Sequence, residues 1–282
     1  MSNTTTLVTG ATGTTGSRLA ARLTSAGHRV RAASRRAAPV AGAEPVAFDW
    51  YDPATHAGAL HGANRLYLVP PVGDPDPAAV MLPFLRLAGA AGVRRAVLLS
   101  SSAISEGGPA AGKVHRALPE LIEEWAVLRP SWFMQNFTGT HTHARSIREE
   151  GVIRTATEDG RIGFVDAHDI AAVALHALTD QQAPDTDLVL TGPQALSHDD
   201  IAAILTEVTG RPVTHQRLSY EEIRDRHTRE IPAPFAAMLA AMDLNLARGT
   251  ENRTTDTVRR LTGHTPRSFR ELLETGTHNT AR

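Results

Sequence analysis

The apolar positions of this chain fall into short continuous runs separated by segments with a helical period. Residues 6–9, HRVRAAS, PVAFDW, RLYLVP, RRAVLLSS and WAVLRP are six such runs. Each is one strand long and apolar enough to be buried on both faces. Between the first two, Leu19, Ala20, Leu23 and Ala26 mark one face of a helix, with Gly27 placed to cap its end. Further helices are predicted over residues 52–60 and 78–91; Asp52-Pro53 opens the former with a capping residue followed by proline. Alternating strands and helices predict a mostly parallel sheet covered on both sides, a doubly wound α/β fold.

The rhythm changes after Pro130. DAHDIAAVALHALTD reads as an amphipathic helix and DLVLTG as a strand. SHDDIAAILTEVTG is a helix with a capping box at Ser197 and Asp200, and RPVTHQRL is a strand. From Tyr220 the pattern is helical, ending in a polar tail, ETGTHNTAR, expected to fray. The division expected is residues 1–130 as one domain and 131–282 as a smaller lobe, with later strands able to cross back to the first sheet.

Composition narrows the picture. The chain has 282 residues, 41% hydrophobic and 21% charged, which is the balance of a globular domain. Its 29 basic residues nearly match 30 acidic ones, so no electrostatic footprint for nucleic acid or an anionic membrane is expected. The absence of cysteine excludes disulfides, thiolate metal sites and cysteine nucleophiles. No apolar run is long enough to span a membrane. The N-terminal MSNTTTLVTG lacks a basic n-region, so no signal peptide and a cytoplasmic location are expected. His141 and His143 are two apart, which on a helix points them to opposite sides, and there is no H-E-x-x-H; no metal is expected.

The most informative stretch is LVTGATGTTGSRLAARL. Gly10, Gly13 and Gly16 are spaced by three between the first strand and first helix. A helix N-terminus offers free N–H groups and a partial positive charge, and glycines let the backbone approach a pyrophosphate. This predicts a Rossmann-type dinucleotide site using the N–H groups near residues 12–15, aided by the Thr12 and Thr15 hydroxyls. The second strand ends in AASRR. An acid there would bind the ribose 2′-OH of NAD; Arg35 and Arg36 instead suit a 2′-phosphate, with Ser34 as a further donor, and NADP(H) is the expected cofactor. The alternative is a pair of solvated surface arginines.

GATGTTGS, ASRR and LRPSWFMQNF resemble the NmrA-like branch of atypical short-chain dehydrogenase/reductases. FDWYDPAT, RLYLVPP, GVRRAVLLSSSAISEGGPAAGKVH, DGRIGFVDAHDIAAVA, LVLTGPQALSHDDIAAIL and DTVRRLTGHTPRSF resemble its festuclavine/agroclavine dehydrogenase-like subgroup of ergot alkaloid biosynthesis. The resemblance implies a Rossmann domain with a smaller substrate lobe, and NADPH as hydride donor to a cyclic iminium. It implies that Gly10, Thr12, Gly13, Thr15 and Gly16 form the phosphate loop and that Arg35 meets the 2′-phosphate. Asp49 and Trp50 would pass the adenine, and Val69, Pro70 and Pro71 the adenosine ribose. Ser100, Ser101 and Ser102, and residues 130–133 beginning with Pro130, would lie near the nicotinamide.

The chemistry is marked by something missing. Short-chain dehydrogenases use a Tyr-x-x-x-Lys pair, in which a phenol protonates the carbonyl oxygen as hydride arrives. Of Tyr51, Tyr67 and Tyr220, none is followed by that lysine. An iminium carbon is already electrophilic and needs chiefly positioning. Trp132, Phe133, Met134 and Phe137 are candidates for an apolar wall over the reacting ring, with core packing as the alternative. His115, Lys113 and Ser101 are the candidate catalytic groups and Ser102 a substrate contact; surface or structural roles are the alternatives for each. Gln135 and Asn136 can contact cofactor or substrate. Pro119 is expected to interrupt the helix that carries His115. The reading is an NADPH-dependent reductase of a small hydrophobic imine, iminium, enone or quinone. A non-redox cyclase or isomerase, or an NADP(H)-sensing regulator, is the alternative, and a monomer and a homodimer stay equally open.

Overall fold

The computed structural model of the chain describes residues 4–279; the extreme N-terminal residues and the last of the polar tail lie outside it. The strands in chain order are β1 (Thr5–Val8), β2 (Arg29–Ser34), β3 (Glu44–Ala47), β4 (Arg65–Leu68), β5 (Arg95–Leu99), β6 (Glu124–Pro130), β7 (Val152–Thr155), β8 (Thr186–Leu190) and β9 (Thr214–Arg217). The α-helices are α1 (Gly16–Ser25), α2 (His56–Leu60), α3 (Ala78–Ala90), α4 (Gly112–Leu121), α5 (Thr142–Glu150), α6 (Ala167–Thr179), α7 (His198–Thr209), α8 (Tyr220–His227), α9 (Ala233–Ala247), α10 (Thr257–Thr262) and α11 (Phe269–Asn279).

The chain divides into two compact units. The first comprises the chain up to Pro130 together with Ala167–Leu190 and Thr257–His264. Its seven strands are all parallel, in the order β3-β2-β1-β4-β5-β6-β8. Leu7, Leu66, Ala96 and Val127 project to one face, where they pack with Met81, Phe84 and Leu85 of α3 and Val114 and Leu118 of α4. On the other face α6 packs against β4, β5, β6 and α1. Its alanine-rich sequence, AHDIAAVALHALT, is buried nearly all round, and small side chains let it lie close to both sheet and helix. This is the doubly wound α/β architecture that the run pattern predicts.

The second unit comprises Ser131–Asp166, Thr191–Asp256 and the chain from Thr265. It holds a small parallel pair, β7–β9, and a core of Met134, Phe137, Ile153, Ile162, Phe164, Ile201, Leu205 and Phe269. It is therefore not one continuous stretch from residue 131. Residues 167–190 are returned to the first unit because they provide its seventh strand and the helix over its second face.

Local expectations are met with some corrections. Ser197 and Asp200 form the capping box of α7 with both bonds in place. Asp52 accepts from the Ala54 amide, with Pro53 opening a short 3-10 turn into α2. Pro119 does not break α4, which continues to Leu121; the missing N–H falls in its last turn. The polar tail, residues 274–282, is expected to fray, but α11 runs through it as far as Asn279; residues 280–282 lie outside the described region.

Candidate active site

The loop between β1 and α1 is built around close approaches that only glycine permits. Gly10 adopts φ +61° and lies against Val69; a Cβ there would be 3.2 Å from the Val69 Cβ. A Cβ on Gly16 would fall 2.2 Å from the Gly10 carbonyl oxygen. The Gly13 amide donates to that same oxygen at 2.9 Å. Thr9 holds the two strand ends together: its Oγ1 donates to the Tyr67 carbonyl at 3.1 Å and accepts from the Val69 amide at 2.7 Å. Among the described residues no protein acceptor takes the amides of Thr12, Thr14 and Thr15. The first turn of α1 contains no acidic residue and no side-chain cap. Unsatisfied N–H groups at a positive helix end form a cradle for an anion, so the residues present fit a pyrophosphate.

Thr15 departs from its expected place. It is buried, beside the phenol of Tyr67. Tyr67 is itself wholly buried, with no hydrogen-bond partner within 3.5 Å, and burial pushes its phenol well above the ordinary tyrosine range. The Thr15 hydroxyl therefore packs under the loop, leaving its amide and the exposed Thr12 on the outer side.

Arg35 and Arg36 follow β2 in exposed positions, and among the described residues neither forms an ion pair. Ser34 accepts from the Ala38 amide at 2.9 Å, which leaves its hydroxyl proton free to donate outward. Asp49 is half-buried and accepts from the Tyr51 amide at 3.0 Å. Trp50 is a core residue instead of an open platform. Its ring packs edge-on against Phe48 and Phe84, and its indole N–H donates to the Val69 carbonyl at 3.0 Å. The half-buried Val69, Pro70 and Pro71 thus leave β4 along a path fixed by both Thr9 and Trp50. These residues share the carboxyl edge of the sheet with the glycine loop, where ligands of open α/β sheets bind.

At the ends of β5 and β6 the chain is cross-tied. The Ser100 amide donates to the Leu128 carbonyl at 2.7 Å and the Ser102 amide to that of Pro130 at 2.9 Å. The Arg129 guanidinium bonds Asp187 at 2.5 Å and the Ser102 carbonyl at 3.1 Å. Ser100 Oγ is buried without a partner, whereas Ser101 Oγ accepts from the Ala103 amide at 3.3 Å. His115 is buried on the core face of α4 next to Trp125, its Nδ1 unpartnered. Burial lowers its pKa, with Asp187 opposing, so the ring is neutral at pH 7. Lys113, two residues earlier, faces the other way and pairs with Asp76 at 3.0 Å on the surface. The two candidate proton donors are therefore not brought together: positions two apart on a helix are about 200° apart.

In the second unit, Trp132 and Phe133 are half-buried and the strand-like bond of Val165 N–H to the Trp132 carbonyl, 2.9 Å, fixes the backbone between them. Met134 and Phe137 are corrected to core residues. Phe137 stacks on His143 and meets Phe164 and Phe269 edge-on. Gln135 donates to the buried Asp166 at 2.8 Å, and Arg267 pairs with the other oxygen of Asp166 at 3.0 Å; Asn136 is half-buried. His141 precedes α5 instead of lying on it. Its Nδ1 accepts from the His143 amide, and the two rings are 4.9 Å apart. Among the described residues no three His, Asp or Glu gather as a metal site, and no helix is long and apolar enough to cross a membrane. Sequence reasoning missed Thr9 and Trp50 as the pair that sets the Gly10–Val69 approach. A threonine at the strand end next to the first glycine was the available signal.

The sequence matches the NAD(P)H-binding family over residues 10–181 and the NmrA-like family over residues 113–267. It is 45% identical to the uncharacterized oxidoreductase YesF of Bacillus subtilis (strain 168), covering 94% of this chain and 93% of that one. It is 40% identical to an agroclavine dehydrogenase of Claviceps fusiformis over 95% of both chains. Among solved structures it is similar to the NADPH-dependent quinone oxidoreductase QOR2 of Escherichia coli complexed with NADPH, with a TM-score of 0.81, 25% identity and coverage of 97% and 99%. With the phosphate cradle in place and similarity running the length of the chain, this protein belongs to the NmrA-like branch of the NAD(P)H-binding proteins, alongside the clavine dehydrogenases, and is an NAD(P)H-dependent oxidoreductase.

Proposed function

We propose that the protein reduces a small hydrophobic cyclic imine or iminium with NADPH, in secondary metabolism. The observation that carries this reading is the fate of Lys113, the sole lysine of the chain. It is held by Asp76 on the surface, while Tyr67 is sealed in the core and the Tyr51 hydroxyl donates to Asp74. No phenol is activated by a neighbouring ammonium, so a ketone would lack its proton donor. An iminium needs none. Its carbon is electrophilic before hydride arrives, and the product amine carries no charge that must be stabilised.

In this reading the amides of Thr12, Thr14 and Thr15, with Gly10, Gly13 and Gly16 shaping the turn, hold the pyrophosphate. Arg35, with Arg36 and Ser34, holds the 2′-phosphate. Asp49, Val69 and Pro70 flank the adenosine, and Ser100 and Pro130 border the nicotinamide. When bound, NADPH supplies the hydride. Trp132 and Phe133 supply flat apolar surface for the acceptor, and Ser101 and Ser102 supply polar contacts. A quinone is the second reading, favoured by the full-length similarity to QOR2; a hydroquinone anion, like an amine, leaves without a strong acid.

Equilibrium binding of NADPH, NADP+, NADH and NAD+ tests the cofactor assignment. Arg35→Ala is expected to weaken the phosphorylated pair roughly tenfold or more and leave the other pair unchanged. Equal affinity of the unmodified protein for both pairs would sink the role of Arg35. NADPH oxidation in the presence of N-methyl-dihydroisoquinolinium, compared with naphthoquinone and cyclohexanone, tests the reaction: iminium turnover without ketone turnover is expected.

A further inference from the structure

Within the first unit, the chain leaving β3 is hung between two points of the sheet's carboxyl edge. The Phe48 amide donates to the Ser34 carbonyl at 3.0 Å, next to Arg35. Two residues on, the Trp50 indole donates to the carbonyl of Val69 at 3.0 Å, and Val69 is the residue against which Gly10 closes. The order β3-β2-β1-β4 places two strands between these exits, so the segment and its side chains span three strand spacings, roughly 14 Å. The glycine loop reaches the same edge from below, with the Ala11 amide on the Ala33 carbonyl at 3.3 Å. A nucleotide with its 2′-phosphate at Arg35 and its pyrophosphate on the glycine loop therefore has its adenosine beside residues 48–52.

That segment turns back on itself, the Asp52 amide donating to the Asp49 carbonyl at 3.2 Å. The turn sends Trp50 inward, 8% exposed, and Tyr51 outward, 62% exposed. The Tyr51 hydroxyl nevertheless has a fixed partner: it donates to Asp74 Oδ2 at 2.7 Å. Asp74 lies in the connection from β4 to α3, and its Oδ1 accepts from the Asp76 amide at 2.8 Å. Asp76 in turn pairs with Lys113 of α4 at 3.0 Å. Between Pro71 and Asp74 the chain stands free, with Val72 almost wholly exposed and Gly73 at φ +81°. The buried Trp50–Val69 bond already fixes the two segments to each other. A second bond at the surface, where water competes for both groups, adds little to the fold and opens readily.

We propose that the Tyr51–Asp74 bond is a clasp at the adenosine half of the NADP(H) site. Closed, it joins the turn after β3 and the segment after β4, which flank the adenosine, into one band. Open, the two segments part at the cost of a single exposed hydrogen bond. The clasp sets how long the cofactor stays and takes no part in hydride transfer, so Tyr51 and Asp74 are positioning residues. This rests on the adenosine placement given above and is independent of which acceptor receives the hydride.

The test reads cofactor release directly. NADPH-loaded protein is mixed rapidly with excess NADP+, and the loss of bound NADPH fluorescence gives the dissociation rate. Tyr51→Phe keeps the ring and removes the hydroxyl. It is expected to speed release roughly three- to tenfold, to leave the association rate unchanged, and to weaken 2′,5′-ADP, which carries the adenosine half alone, by the same factor. Asp74→Ala is expected to act alike, and Asp74→Asn, which keeps an acceptor for the phenol, to retain slow release. Because both single changes remove one bond, Tyr51→Phe with Asp74→Ala is expected to release no faster than the quicker single variant. The urea midpoint of cofactor-free Tyr51→Phe is expected to match that of the unmodified protein. The clasp is overturned if Tyr51→Phe releases NADPH at the unmodified rate, if the two effects multiply in the double variant, or if the midpoint falls in step with faster release. Arg35→Ala separates the clasp from the placement beneath it. If Arg35→Ala weakens 2′,5′-ADP and Tyr51→Phe does not, the placement stands and the clasp is removed; if neither weakens it, both fall.

Discussion

Gly16 carries the tightest steric constraint in the phosphate loop, because a methyl group there would overlap the Gly10 carbonyl oxygen. Relief requires moving backbone, and the backbone that moves is the part that presents the Thr12, Thr14 and Thr15 amides. Gly16→Ala is expected to weaken NADPH binding by roughly tenfold or more and to cost about 1–3 kcal/mol of stability, read by calorimetric titration and urea unfolding; unchanged affinity would count against the cradle. The three glycines were legible in the sequence because their spacing falls between an apolar run and a helical period. Aromatic residues were less legible. Trp50 and Phe137 are as apolar as Trp132 and Phe133, and only the direction of the backbone sends one pair into cores and leaves the other half open.

At the scale of elements, Arg95 ties the sheet to the helix behind it. It is buried on β5, its Nε bonds Glu124 at 2.6 Å, and its terminal nitrogens donate to the carbonyls of Leu178, Asp180 and Gln181 at 3.1, 2.6 and 3.4 Å. Those carbonyls lie at and just beyond the C-terminus of α6, where backbone acceptors have no partner within the helix. Arg95→Ala is expected to destabilise the fold by about 3 kcal/mol, since it leaves the buried Leu178 carbonyl and the partly buried Asp180 and Gln181 carbonyls without this donor. A shift in the urea midpoint without change in slope checks this. The strands of this sheet were readable because burial on both faces demands continuous apolar runs. α5 and β7 were not readable. α5, THARSIREE, buries only Ala144 and Ser146, and β7 is four residues long, so neither carries a strong period. What ends α5 is Gly151 at φ +68°, a signal that is ambiguous without the helix before it.

For the molecule as a whole, most of the histidines with lowered pKa lie in the second unit, with His115 in the first acting in the same direction. Burial lowers the pKa values of His141, His143, His198, His215 and His227, with His198 pushed down to about 3. His198 bonds Thr157 at 2.8 Å, and Thr157 continues through Thr155 to His215. The unfolded chain takes up protons on these rings below about pH 6.5 while the folded chain resists them. Stability from this source is full above pH 6.5 and is lost as pH falls toward 3, with His198 alone contributing on the order of a few kcal/mol. Asp243, whose carboxyl burial raises to about 6, acts in the opposite direction: it costs stability as pH climbs from about 4 to 6. Urea midpoints measured at pH 8, 6 and 4.5 (roughly spanning these ranges) are expected to fall at the acid end, and His198→Asn is expected to flatten that fall. The overall architecture was legible from strand and helix alternation, and the change of rhythm after Pro130 coincides with the edge of the first unit. That later chain could return to the first sheet was legible, but which residues do so was not, because a buried alanine-rich helix and a short apolar strand look alike in either unit.

That return has a consequence for how the chain is made. β6 ends at Pro130, but its outer neighbour β8 begins only at Thr186, and α6 arrives from Ala167. A nascent chain emerging from the ribosome can form its glycine loop early. The sheet that carries the loop then waits with β6 as an open edge and one face short of its helix until residue 190 has been synthesised. Unpaired edges and uncovered apolar faces are where growing chains aggregate. Synthesis of the stretch between Pro130 and Leu190 is thus the period in which this open edge and uncovered face are exposed to other chains.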